Sequence, residues 1–522
     1  MELTRERHIN QALLRIPRRA ESVDRHTLAT TFVSSGSLSA MLHSTDHQIL
    51  YGRRGTGKTH ALLHLSDQIE QMGDVPVYLD LRTIGSAGGL YADNSLSRAH
   101  RGTQLLVDTL EAIHEELLST AINKEVSDQD GLLRGLDSLA TASTGVEVIG
   151  AVEHESTVAA ELENTNYQEN SAEIGGFFGP GAGVTAGSEQ KVTQAAEGRV
   201  RRIGVERHHV VFGPLSRSLR QITGALGRSR VWLLLDEWSS IPLDLQPFLA
   251  DLIRRSVLPT AGMTVKIAAI ERRSKFLQPC DNGDYLGIEV GADAASAMSL
   301  DDLMIFDHSR NRSVDFFERL FHNHASSVLP TDLHFDEPKQ FITSAFKRQA
   351  FAELVRAAEG VPRDAINIAA LAAQQAHEGP ISILDVRTAA RDWYLRDKQG
   401  AISANKPARK LLRLLVDEVV GHRKARTFLI EQGTSVDNEL VQELYDARLL
   451  HVLRRGIVDH RNPGTYYDGL AIDYGCYVAL LIDGNVKISQ LGKDLWLNAA
   501  RGVPLEDFDL QRPAIDIGTL RG

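Results

Sequence analysis

Cysteine is nearly absent. Cys280 and Cys476 are the only two in 522 residues. Neither belongs to a CxxC pair or stands beside a histidine pair, so the sequence offers no disulfide framework and no zinc site, and a reduced, cytoplasmic setting is expected. Long apolar runs are missing too: no uninterrupted stretch approaches the roughly 18 residues that span a bilayer. The N-terminus has no basic region followed by an apolar run, so neither secretion nor a membrane partner is expected. Positive charge is not in excess, with 57 Lys and Arg against 68 Asp and Glu and a net charge of −11. No global basic field draws the molecule to nucleic acid, and any such contact must be local. Aromatic residues make up only 6% of a chain that is 43% apolar and 24% charged. This is an ordinary globular composition, suited to helix-rich α/β packing in about three domains.

What is present is a complete P-loop, Gly52, Arg53, Arg54, Gly55, Thr56, Gly57, Lys58 and Thr59. Its glycines let backbone N–H groups turn inward around phosphate oxygens, and the helix starting near Lys58 aims its positive end at the same anion. Lys58 is expected to reach the β- and γ-phosphates of ATP, and the Thr59 hydroxyl to bind Mg²⁺. The context fits. Residues 47–51 read as a short strand, and Ala61, Leu62, Leu63, Leu65 and Ile69 recur at helical spacing after the loop.

Before the loop, residues 1–30 carry six arginines interleaved with Leu13, Leu14 and Ile16. This reads as an amphipathic arm, either a solvated lead-in helix or a partner-binding one. After the loop, residues 75–81 read as a second strand. A Gly-rich loop at 85–89 then leads to a helix that buries Leu105, Leu106, Leu110 and Ile113.

The next strand is delayed, because Lys58 and Asp236 stand 178 positions apart where a βαβ unit needs about 30 residues. A large insertion is expected at about 145–213. Its residues 146–190 hold eight glutamates and no Asp, Lys or Arg, which excludes DNA from that segment. It reads as a flexible or β-hairpin excursion, with Phe177 and Phe178 either a docking tip or part of a plain loop.

Residues 231–237 are an apolar run ending in Asp236 and Glu237, the Walker B pattern that a central parallel strand delivers to its C-terminal edge. Asp236 is expected to hold Mg²⁺ and Glu237 to accept a proton from the water that attacks the γ-phosphate. A helix over 245–257 follows, then a strand over 264–270 ending in Glu271, Arg272 and Arg273. Either arginine is a candidate transition-state cation, in its own subunit or a neighbour, or else is solvated on a loop. A fifth strand is expected at 299–306. Farther on, Phe351, Leu354, Val355 and Ala358 form a helix face, and Gly360 to Arg363 break and restart the helix with Pro362 at its first position. Arg363 then projects from the positive end of a helix, which suits phosphate contact.

Residues 52–59, 233–237 and 360–363 together resemble the AAA+ ATPases of the origin-recognition and replication-initiator type, with a secondary likeness to STAND signalling ATPases. The resemblance covers roughly residues 30–400 without the insertion. It implies an α/β fold, a P-loop (ASCE/AAA+) three-layer parallel-sheet domain with a helical lid and a C-terminal winged-helix domain, and it casts Arg363 as sensor 2. The chain departs from the pattern at sensor 1, where Glu271 stands in place of Asn or Thr. The implied boundaries are an arm at 1–30, an ATPase domain at 31–330, a lid at 331–400, a winged helix at 401–485 and a tail at 486–522.

Within the winged helix, a first helix carries Leu411 to Val419 and a second follows an N-cap at Asp437. The wing hairpin is expected at 449–473. The second helix carries Glu439, Glu443 and Asp446 against Arg448 alone, while residues 406–426 hold seven basic and two acidic side chains. Any DNA contact is therefore expected on that basic stretch or at Arg454, Arg455 and Arg461, and the stretch reads equally as a solvated surface. Three functional readings are expected: an ATP-hydrolysing switch, assembling as a nucleotide-dependent homo-oligomer, that acts on double-stranded DNA; a signalling switch that answers a protein trigger; and a non-hydrolysing nucleotide scaffold.

Overall fold

Strands β1 (Gln48–Tyr51), β2 (Val75–Asp80), β3 (Val231–Asp236), β4 (Met263–Ala269) and β5 (Ser296–Ser299) form one parallel sheet in the order β5-β1-β4-β3-β2. The computed structural model describes residues 5–34, 38–84, 91, 93, 95–124, 126, 128–144, 147–149, 152–154, 200–202, 207–209, 211–280, 283–293, 296–301, 310–433, 439–491 and 509–520. Both faces of the sheet are covered, so the central strand β3 is apolar and buried from Val231 to Leu235, whereas β2 at the edge alternates buried and half-buried positions. Side chains still alternate in direction. Val231, Leu233 and Leu235 enter one core beneath the helices Arg98–Asn123, Gln129–Ser143 and Phe212–Ala225. Trp232 and Leu234 enter the other, against Leu62, Leu65 and Ile69 of α2 (Lys58–Gln71).

The register aligns the C-terminal ends of the strands. Asp80 pairs with Asp236, Leu235 with Ile267, and Tyr51 with both Ala269 and Ser299. The residues just past these ends, Gly52, Arg82, Glu237, Glu271 and Asp301, therefore share one edge of the sheet. The fifth strand ends where the expected run of 299–306 begins. Leu300 and Asp301 already turn as a helix, and this turn brings the Asp301 carboxylate onto the backbone N–H of Arg53 at 2.9 Å. Residues 302–309 lie outside the described residues.

The insertion leaves the sheet on an antiparallel stem, with 147–149 paired to 207–209 and 152–154 to 200–202. The acidic stretch between, with Phe177 and Phe178, lies outside the described residues, as do the Gly-rich loop at 85–89 and the Asp437 cap.

A second core joins the two ends of the chain. Ile9 and Leu13 of α1 (Arg5–Arg15) pack with α3 (Pro362–Ala376) and with the helices around it. The same core continues into the C-terminal module: α4 (Glu439–Asp446), α5 (Tyr474–Ile482), and the antiparallel strands β6 (Thr427–Glu431), β7 (Leu450–Val458) and β8 (Tyr466–Ile472), ordered β6-β8-β7. The arm is thus docked on the chain itself. Strand β6 begins directly after the stretch that reads in sequence as basic surface. Residues from the expected motif-free tail return to it, since Leu429 N–H donates to Pro513 and Ile515 N–H donates back to Leu429.

Charge is buried at the seam of this second core. Lys398, 2% exposed, donates to Asp473 at 2.5 Å and pairs with Asp364 at 2.9 Å. Arg448 holds the other oxygen of Asp364 at 2.7 Å. Burial opposes each of these charges; their mutual attraction, with a hydrogen bond from His451 to Asp473, keeps the two carboxyls below the usual carboxylate range and the Lys398 ammonium above its ordinary value. Removing one member strands the rest. Lys398→Met is expected to cost about 3–5 kcal/mol of stability, read from the urea midpoint.

Candidate functional site

The loop between β1 and α2 turns on two glycines, Gly55 at φ 88° and Gly57 at φ 95°, conformations that other L-residues rarely adopt. Its lysine is folded inward: Lys58 Nζ donates to the carbonyls of Gly52 at 2.8 Å and Arg53 at 3.1 Å. Arg54, Gly55, Gly57, Lys58 and Thr59 line a cavity of about 360 Å³. Gly52, Arg53 and Thr56 are buried beneath it. Arg53 thus contributes its main chain to the loop, while its side chain points away into the protein.

The tandem acids approach from the neighbouring edge. Asp236 is 1% exposed and accepts from the Tyr78 hydroxyl at 2.9 Å and from the Glu237 N–H at 2.8 Å. That second bond accompanies a left-handed backbone at Glu237, φ 55°, which for a non-glycine residue is held by its surroundings. Glu237 lines the same cavity as Lys58 and Thr59. Burial pushes Lys58 below its ordinary value, and Asp301, Asp236 and Glu237 attract its charge in opposition. The lysine-threonine corner and the acid pair therefore meet in one site.

Arg363 comes from the opposite wall. Pro362 opens α3, and the Arg363 N–H donates to the Gly55 carbonyl at 3.2 Å. The packing is close enough that a Cβ at Gly55 would lie 2.7 Å from that of Arg363. Burial and the nearby Arg448 guanidinium push Arg363 below its ordinary value, a strain that an anion in the cavity relieves. The remaining wall is the arm, which contributes Pro17, Arg18, Arg19 and Glu21.

The lining holds six cations, Arg18, Arg19, Arg54, Lys58, Arg82 and Arg363, against two acids, Glu21 and Glu237. That balance suits a polyanion. Leu28, Leu320, Ile366 and the rings of His60 and His324 make one part apolar and aromatic, as a flat heterocycle requires.

Arg272 and Arg273 are placed elsewhere. Arg272 lies over the Tyr445 ring at 4.8 Å, and Arg273 pairs with Asp446 at 2.9 Å. Glu271, at the sensor 1 position, pairs with Arg455. All three are held by the C-terminal module and none lines the cavity, so neither arginine faces Lys58 and Thr59 across it in this arrangement. Two of the three acids of α4 are engaged as well, Asp446 by Arg273 and Glu443 by Asn405, while Glu439 is exposed. The free acidic face that the sequence pattern implies is thus reduced to Glu439. Arg426, counted in the basic stretch, is buried against Glu359 at 2.6 Å.

Sequence reasoning missed Tyr78, Arg82, Asp301, the arm residues and the histidines. Arg82 and Asp301 had a usable signal, since each stands two residues past the end of a parallel strand, where such sheets collect ligand-binding groups. His324 had none.

A scan of protein-family models finds no match, and neither does a search of curated proteins. Among solved structures, the chain is similar to the ORC1 protein of Aeropyrum pernix in complex with DNA at 12% identity, over 91% of this chain and 96% of that one, with a TM-score of 0.31. The functional reading therefore comes from the residues of the site itself.

His324 and His451 are buried, and desolvation pushes each from 6.5 to about 4. As pH falls below about 6.5 the unfolded chain takes up these protons before the folded one does. Stability is expected to be level above that pH and to fall between about 6.5 and 4, by about 3 kcal/mol for each imidazole. Urea titrations across this range check it, and replacing His324 with Asn should flatten part of the slope.

Proposed function

We propose that this chain is an ATP-binding and ATP-hydrolysing molecular switch of the AAA+ kind. The observation that carries the reading is the convergence of Lys58, Thr59 and Glu237 on one cavity whose opposite wall is Arg363, packed on Gly55. The loop N–H groups and Lys58 hold the phosphates, Glu237 activates water, and Arg363 senses the γ-phosphate. Residues 331–400 act as the lid and 401–485 as a winged helix.

Mg²⁺ fits the donors present. Each Asp236 oxygen accepts one hydrogen bond and so keeps a lone pair for a metal or its water. Among the described residues no cluster of three His, Cys, Asp or Glu could hold a cation by itself, so Thr59 and Asp236 would hold the ion together with the phosphates. When bound, it would supply neutralisation of the phosphate charge.

The partner favoured is double-stranded DNA. Lys406, Arg409, Lys410 and Arg413 surround a cavity of about 470 Å³ with Asp417 as the one acid, a local cationic surface on an otherwise acidic molecule. With Arg272 and Arg273 engaged within the chain, the missing transition-state cation is supplied by a neighbouring subunit, and the switch works as a nucleotide-dependent homo-oligomer.

Phosphate release with Mg-ATP tests the reading. Glu237→Gln is expected to keep nucleotide binding and lose about 10²–10⁴ in turnover, whereas Lys58→Ala loses both. Unchanged turnover in Glu237→Gln would remove Glu237 as the base. Duplex retention that falls steeply with salt supports the DNA partner; assembly that needs nucleotide and ignores duplex makes the partner a protein trigger instead.

A further inference from the structure

Arg53 ties the phosphate-binding loop to the far end of the chain. Its backbone N–H and its Nε–H donate to the two oxygens of Asp301 at 2.9 and 2.8 Å, and its Nη2 donates to the Glu359 carbonyl at 3.2 Å. Its Nη1 donates to Nδ1 of His451, on β7. Its own carbonyl accepts from the Thr56 hydroxyl at 2.9 Å and from Lys58 at 3.1 Å. Every polar group of this residue thus either shapes the loop or anchors it.

His451 is suited to one job. A guanidinium only donates and a carboxylate only accepts, so Nδ1 must accept from Arg53 while Nε2–H donates to Asp473 at 2.9 Å. This fixes the neutral tautomer, and burial, which lowers the imidazole to about 4, keeps it neutral. Asp473 passes the link on to Lys398 at 2.5 Å, Lys398 to Asp364 at 2.9 Å, and Asp364 is the neighbour of Arg363 in the first turn of α3. The chain of contacts leaves the nucleotide site at Arg53 and returns to it beside Arg363. Arg53, His451, Asp473, Lys398 and Asp364 are each at most 5% exposed.

We infer that His451 is a positioning residue for the nucleotide site, holding Arg53 so that the phosphate-binding loop is set only while the C-terminal module is docked. Occupation of the cavity and docking of the module are therefore coupled, and by reciprocity nucleotide tightens the module as the module preorganises the loop. The inference rests on the nucleotide reading above and adds its regulation.

The test measures Mg-ATP affinity of the full chain by equilibrium titration for the wild type, His451→Ala, His451→Gln and both of these combined with Arg53→Met. His451→Ala is expected to weaken binding about 10-fold. His451→Gln should restore it to within about 3-fold, because a carboxamide accepts from Arg53 and donates to Asp473 in the same two places. In the Arg53→Met background, His451→Ala should add nothing further. Hydrogen exchange supplies a second readout: Mg-ATP should slow amide exchange over residues 450–458 in the wild type and not in Arg53→Met. Wild-type binding that His451→Ala leaves unchanged, or weakens equally in both backgrounds, overturns the inference alone. No Mg-ATP binding by the wild type overturns the nucleotide reading and the inference with it.

Discussion

A buried guanidinium beneath a glycine-rich loop is the constraint on which the rest of this structure depends. Arg53 is 5% exposed and has surrendered its hydration, a loss that is recovered only if every donor finds an acceptor. Its acceptors come from three distant stretches: Asp301 after β5, Glu359 before α3 and His451 on β7. Satisfying one residue therefore fixes the mutual placement of the sheet, the helical segment and the C-terminal module. An apolar side chain at this position would sit as comfortably in a core and specify none of those neighbours.

The same logic explains why the seam between these parts is ionic. Lys398 with Asp364 and Asp473, Arg426 with Glu359, Arg273 with Asp446 and Arg455 with Glu271 all join segments far apart in sequence. Pairs of this kind contribute less net stability than apolar packing of equal size, but each tolerates only one partner in one orientation. The apolar clusters on the two faces of the sheet provide stability, and the ionic seam provides the register between units. The cavity lies where the two meet, with its floor on the sheet edge and its walls on α3 and the arm.

Much of the site was legible because its chemistry is local. Gly55 and Gly57 must adopt positive φ, Pro362 must open a helix, and Asp236 and Glu237 must end a buried strand; each of these is punctuation that a sequence displays. The insertion was visible from the gap between Lys58 and Asp236, and its described stem is an antiparallel pair, as a hairpin excursion requires. What could not be read is where charges go. Arg53 and His451 are 398 positions apart, and no periodicity marks such a pair. Arg272 and Arg273 read in sequence as transition-state cations or solvated loop charges, and Asp446 and Arg426 as surface charges, yet each is engaged within the chain. Strand β5 was placed too late because the apolar run after Asp301 outweighed Ser296–Ser299, whose pairing is decided by the neighbouring β1 rather than by its own composition.

The central claim is that one cavity, walled by segments from the arm to α3, takes a triphosphate. Titration calorimetry of the purified chain with ATP and, separately, AMP, each with Mg²⁺, addresses it directly. The expected result is one saturable ATP site per chain, with AMP at least about 100-fold weaker because the six cations of the lining have fewer phosphates to meet. Equal affinity for the two nucleotides, or no saturable heat with either, would contradict the account.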